Sequence, residues 1–123
     1  MKISLDMDGT CIAKPEFFRE LMAGMQARGH QVGILTGRAH TSEAACREEL
    51  SKLGFPKADF YFGRTPEYMP LNGAHFKSMI IKREKIEIHF DDYDYDHTDT
   101  IKLFAELGQE KRIARLKAPA PGK

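Results

Sequence analysis

The chain has 123 residues, 41% of them hydrophobic and 30% charged, and 19 basic against 18 acidic side chains give a net charge of +1. That length suits one core and not two ordinary domains. So even a charge balance gives no global electrostatic case for binding nucleic acid or a membrane surface, leaving only a local patch. No apolar run approaches the ~20 residues needed to cross a bilayer, and the N-terminus lacks a signal-peptide core. Cys11 and Cys46 have neither disulfide nor metal-ligand spacing. A cytoplasmic protein is the expectation.

In chain order, Lys2–Leu5 is a short strand that runs into Asp6-Met7-Asp8-Gly9-Thr10. Strand alternation turns the Asp6 and Asp8 carboxylates the same way, and Gly9 breaks the strand so that they stand at its tip. Like charges that close are costly unless a cation lies between them, and a divalent metal is the usual one. Pro15 opens a helix on which Phe17, Phe18, Leu21, Met22 and Met25 recur at helical spacing up to Gly29. A second strand, Gln31–Leu35, ends at Thr36-Gly37-Arg38. A helix over Ser42–Leu53 follows, closed by Gly54 and Pro56. Asp59–Phe62 reads as a third strand with Gly63-Arg64-Thr65-Pro66 as its exit, then a loop over 66–73 and a short helix over 74–84 that carries Lys77. Ile86–Phe90 is a fourth strand delivering Asp91-Asp92. A helix over Asp96–Leu107 and a strand over Arg112–Leu116 complete a single domain at 1–117, with 118–123 as a disordered tail.

Alternating strands and helices predict an α/β fold with a parallel sheet and helices on both faces. In such sheets ligands bind beyond the carboxyl ends of the strands. Asp6 and Asp8, then Thr36, then Arg64-Thr65, then Asp91 and Asp92 each follow a successive strand at that same end. This regularity carries more weight than any one motif. The five histidines are scattered, with no zinc spacing, and Cys11, beside Asp6 in sequence, lacks a basic partner and reads as a packing residue.

Asp6-Met7-Asp8-Gly9-Thr10, Ile34-Leu35-Thr36-Gly37-Arg38, the isolated Lys77 and Phe90-Asp91-Asp92 with Asp96 resemble, in order, the four signature elements of the haloacid dehalogenase (HAD) superfamily. The resemblance implies a Rossmann-like three-layer sandwich with a mostly parallel five-stranded sheet in the order 5-4-1-2-3. It implies a Mg²⁺-dependent phosphomonoester hydrolase that passes through an aspartyl-phosphate. On this reading Asp6 is the nucleophile and Asp8 the general acid and base. Thr36 and Lys77 hold the transferring phosphoryl group, with Gly37 and Arg38 in the substrate-binding loop. Asp6, the Asp8 carbonyl and Asp92 would hold Mg²⁺, with Asp91 behind Asp92 or in its place. Asp96 either holds a metal-bound water or caps its helix.

Neither the segment after Thr10 nor that from Gly54 to Asn72 has room for a cap domain. The site is therefore expected to be open to solvent, sheltered either by a bulky substrate or by a second copy of the chain. Capless relatives include the phosphatase part of polynucleotide kinase-phosphatases, which the Thr-Gly-Arg element resembles. The expected partner is a phosphorylated small molecule or a nucleic-acid end. Tyr93 and Tyr95 are candidate shelves for a base, and Arg64 is a candidate substrate contact. The rival readings are a HAD-fold regulatory module that holds Mg²⁺ or phosphate without turnover, and a receiver domain. The receiver is disfavoured because its phospho-acceptor belongs on the third strand, which here ends in Gly63-Arg64-Thr65.

Overall fold

The computed structural model describes residues 1–71, 73–91 and 113–115. The chain is an α/β protein, as the alternating pattern predicts. Strands β1 (Lys2–Leu5), β2 (Gln31–Ala39), β3 (Tyr61–Arg64), β4 (Ile88–Asp91) and β5 (Ile113–Arg115) form one parallel sheet in the order β3-β2-β1-β4-β5. Helices α1 (Pro15–Ala27), α2 (Glu43–Lys52) and α3 (Gly73–Glu84) connect them.

Alternation along the strands sorts the side chains onto two faces. Ile3, Leu5, Val32 and Ile34 pack with Phe18 and Met22 of α1 and Cys46 and Leu50 of α2 into one buried apolar cluster. Phe18 and Met22 are four residues apart and so share a helix face. On the other face Leu35 packs with Phe76, Ile80 and Ile81 of α3. Residues of opposite parity on β1 and β4, namely Ser4 and His89, are paired in register and fully buried on the α3 side. One face of the central strands is thus greasy, and the other carries a polar layer under α3.

Several predicted boundaries move, each for a tertiary reason. The second strand runs on past Leu35 to Ala39, because pairing with β3 resumes at Ala39 and Arg64 after a register shift. Thr36-Gly37-Arg38 is therefore an irregularity inside β2 and not a turn after it; such bulges re-aim side chains. The third strand begins at Tyr61 and not at Asp59, whose carboxylate accepts the Val32 N–H at 2.7 Å. The fourth strand begins at Ile88: Ile86 is buried at the exit of α3, and the Glu87 N–H bonds Lys2 O at 2.8 Å. A tight turn, His40–Ser42, precedes α2, another, Pro66–Tyr68, lies in the predicted loop, and α3 starts at Gly73. The predicted helix Asp96–Leu107, the tail 118–123, and Asp92, Tyr93, Tyr95 and Asp96 lie outside the described residues.

Candidate active site

The site grows from the carboxyl end of β1. Asp6 is still extended (φ −77°, ψ 158°), and its N–H is held by Phe90 O at 3.0 Å, which fixes β1 beside β4. The chain then turns through a wide helical loop, Met7–Cys11, where Gly9 takes φ 74°. That left-handed conformation suits glycine and strains other residues. Met7, Thr10 and Cys11 are buried beneath the loop. The turn separates the two carboxylates that strand alternation places together. Asp6 retains 6% of its exposure, whereas the Asp8 side chain is 67% exposed and faces elsewhere.

Asp6 meets Lys77. From the first half of α3 the Lys77 ammonium donates to Asp6 Oδ1 at 3.0 Å and to Asp91 Oδ2 at 2.6 Å, bridging the carboxyl ends of β1 and β4. Lys77 and Asp91 are 6% and 1% exposed, so the three charges sit in a poorly solvated pocket. Asp91 Oδ2 also lies 2.9 Å from His89 Nε2, and His89 Nδ1 lies 2.7 Å from Ser4 Oγ. Burial pushes the His89 imidazole below its ordinary pKa of 6.5, which keeps the ring neutral. Nε2–H then donates to Asp91, and Nδ1 accepts from the Ser4 hydroxyl. The result is a continuous chain, Ser4, His89, Asp91, Lys77, Asp6.

The electrostatics follow from that chain. Burial raises the Asp6 carboxyl to about 7; Lys77 opposes the rise, while the Asp91 charge adds to it. Burial acts on Asp91 in the same sense, but the His89 N–H and the Lys77 charge outweigh it and hold that carboxylate well below its usual range. Burial pulls the Lys77 ammonium down, and its two carboxylate partners more than restore it. Asp91 is thus a fixed anion, Lys77 a fixed cation, and Asp6 a carboxylate short of positive charge.

Asp8 belongs to a second cluster. Arg38 forks onto it, Nε to Oδ2 at 3.0 Å and Nη2 to Oδ1 at 2.6 Å, while Nη1 reaches Glu49 on α2 at 2.9 Å. The Arg38 hydrogen bonds lower the Asp8 pKa. Thr36 is 1% exposed and accepts the Arg38 N–H on Oγ1 at 3.2 Å; no side-chain bond joins it to Asp6 or Lys77 among the described residues. Gly37, by contrast, is exposed. Of the residues expected in the site, Asp6, Lys77 and Asp91 are in contact, Asp8 and Arg38 form a pair at its rim, and Thr36-Gly37 is the bulge of β2 beside β1.

One expectation is corrected: Asp8 does not share the direction of Asp6, because the backbone leaves the strand at Met7. Asp6 itself lies at a floor where little of it meets solvent. Sequence reasoning passed over Ser4, His89 and Glu49. The signal for His89 was its strand parity with Asp91, which puts both on one face.

Among the described residues no three His, Cys, Asp or Glu side chains converge as a metal site. The available donors are nonetheless hard oxygens, as Mg²⁺ prefers. Burial leaves Asp6 undercharged beside the anionic Asp91, a position that a divalent cation suits. No protein-family model, curated protein or solved structure matches the chain, so the functional reading rests on residues and geometry.

Proposed function

We propose that the chain is a Mg²⁺-dependent phosphomonoester hydrolase of the HAD type, with a Rossmann-like three-layer fold and no cap. The observation that carries this reading is the Asp6–Lys77–Asp91 bridge, a nucleophile-grade carboxylate held against a buried ammonium at the carboxyl ends of adjacent strands. A phosphate ester is an anion that repels a carboxylate, so the site must first cancel charge. Lys77 supplies one buried positive charge. Asp6, the Asp8 carbonyl and Asp92 or Asp91 would hold Mg²⁺, which when bound neutralises phosphate charge and keeps Asp6 ionised.

Asp6 attacks phosphorus, forming the acyl-phosphate as the ester P–O bond breaks. The departing oxygen takes a proton from Asp8, and Asp8 then takes one from the water that opens the acyl-phosphate. In the arrangement described, Asp8 is ionised and forked by Arg38. It must leave that guanidinium to act as an acid. Thr36 Oγ and Lys77 Nζ hold the phosphoryl oxygens during transfer.

The test is hydrolysis of an aryl phosphate with Mg²⁺, expected to vanish in Asp6→Asn. Folded wild-type protein that turns over no member of a broad phosphate-ester panel refutes the reading. One observation favours a second reading, a HAD-fold module that binds Mg²⁺ or phosphate without turnover: the bidentate lock of Arg38 on Asp8. Phosphate binding without hydrolysis, unchanged by releasing Asp8 through Arg38→Ala, selects that alternative.

A further inference from the structure

Arg64 closes β3 beside the bulge Thr36-Gly37-Arg38, and its guanidinium carbon sits 5.4 Å above the centre of the Phe76 ring. Phe76 is fully buried in the α3 cluster, so the ring is a fixed shelf that holds the guanidinium in one plane. Among the described residues Arg64 forms no ion pair, its guanidinium makes no hydrogen bond, and its Nε is buried without an acceptor. The contrast with Arg38 and Arg47, each tied to a carboxylate, is direct. A half-buried guanidinium with no acceptor is costly unless an anion completes it.

Its position says which anion. Arg64 Nη2 lies 3.9 Å from where a Cβ on Gly37 would stand and 3.5 Å from where one on Gly73 would stand. Gly37 follows Thr36, and Gly73 is one turn ahead of Lys77 on the same face of α3. Larger side chains at either glycine would occupy the space in front of the guanidinium. Arg64 therefore flanks both elements that hold the transferring phosphoryl group, roughly one helical turn (~5–6 Å) further along.

We infer that Arg64, stacked on Phe76 between Gly37 and Gly73, is a subsite for a second phosphate-type anion on the substrate. The substrate class is then a phosphomonoester whose leaving group carries another phosphate or a phosphodiester. This rests on the phosphomonoesterase reading only for the identity of the first phosphate. The planar fork of arginine suits two oxygens of such a group.

Binding of inorganic phosphate and of tripolyphosphate to the Asp6→Asn protein, without metal, is measured by titration calorimetry. Tripolyphosphate is expected to bind at least ~10-fold tighter than phosphate, as one charge-assisted fork implies. Arg64→Gln abolishes that preference and Arg64→Lys recovers part of it, whereas the surface control Lys52→Gln leaves it intact. The inference is overturned if tripolyphosphate binds no tighter than phosphate, or if the preference survives Arg64→Gln. Turnover is scored separately. A preserved, Arg64-dependent preference with no ester hydrolysed removes the enzymatic reading and keeps the subsite. Comparing a nucleoside 3′,5′-bisphosphate with a 3′-phosphorylated oligonucleotide, each against the monophosphate, then separates a small molecule from a nucleic-acid end.

Discussion

Replacing Lys77 with methionine keeps the length of the side chain and deletes the one cation that contacts both Asp6 and Asp91 among the described residues. At about 3 Å and an effective dielectric near 20, each contact is worth about 5 kcal/mol of Coulomb energy. Desolvation of three charged groups takes back several kcal/mol apiece, so the triad itself adds little net stability. Removing only its centre is a different perturbation. Two nearly buried carboxylates then face each other with no cation between them among the described residues; the Met7 N–H still donates to Asp6, and His89 still donates to Asp91. Broken buried pairs of this kind cost about 3–5 kcal/mol, which in urea is a midpoint shift of about 2 M. The assay is urea unfolding followed by circular dichroism at pH 8 with chelator, for wild type, Lys77→Met, Asp6→Asn and the double variant. Neutralising Asp6 in the Lys77→Met background is expected to recover about 1–3 kcal/mol of the loss. A Lys77→Met protein destabilised by less than about 1 kcal/mol, or a double variant no better than the single, refutes the picture of a charge-compensated floor.

Acid stability provides a second test, because two groups push in opposite directions. Burial holds His89 below 6.5, so the stability it contributes is present above 6.5 and lost as pH falls. Asp6, raised to about 7 from 3.8, contributes stability that is present at low pH and lost as pH rises through 7. As pH falls from 6.5, Asp6→Asn should therefore lose stability more steeply than metal-free wild type, in which the two groups offset each other; an Asp6→Asn profile no steeper than wild type contradicts the assignment. Arg38→Lys keeps the charge but loses the fork on Asp8. If the proposed hydrolase reading holds, kcat on an aryl phosphate is expected to change at least ~10-fold, in step with Arg38→Ala, and an unchanged kcat in both removes Arg38 from the role proposed for Asp8. Lys85, exposed just past α3, holds φ 56°. Lys85→Gly should stabilise the protein by about 0.5 kcal/mol, and a loss of stability in thermal melts refutes that account.

What the sequence revealed and what it hid have physical causes. The α/β class and the positions of α1 and α2 were legible because Phe18 with Met22, and Gly29 with Gly54, are local signals. The extent of β2 was not. Gly37 reads as a stop, yet β3 pairs with Ala39 beyond it, and that partner is remote in sequence. Strand alternation also misled at Asp8. The rule holds only while the chain stays extended, and the backbone leaves the strand at Met7. Lys77 could be singled out, but its bridge to Asp91 could not, because it depends on α3 covering the polar face of β1 and β4. His89 was hidden for a simpler reason. Its parity with Asp91 puts both on one face of the strand, but its other partner is the cross-strand neighbour Ser4, which is remote in sequence.

The parallel sheet has a practical consequence. Asp6, Thr36, Arg64, Lys77 and Asp91 gather at one rim, while Met1 lies at the other, its carbonyl accepting the Gln31 N–H at 3.0 Å where β2 begins. Half-exposed there, it offers an attachment point at the rim opposite the candidate site. An affinity handle or a tether to a bead placed before Met1 should leave the rim that carries Asp6, Lys77 and Asp91 facing solution, so the protein can be immobilised without shielding the candidate site.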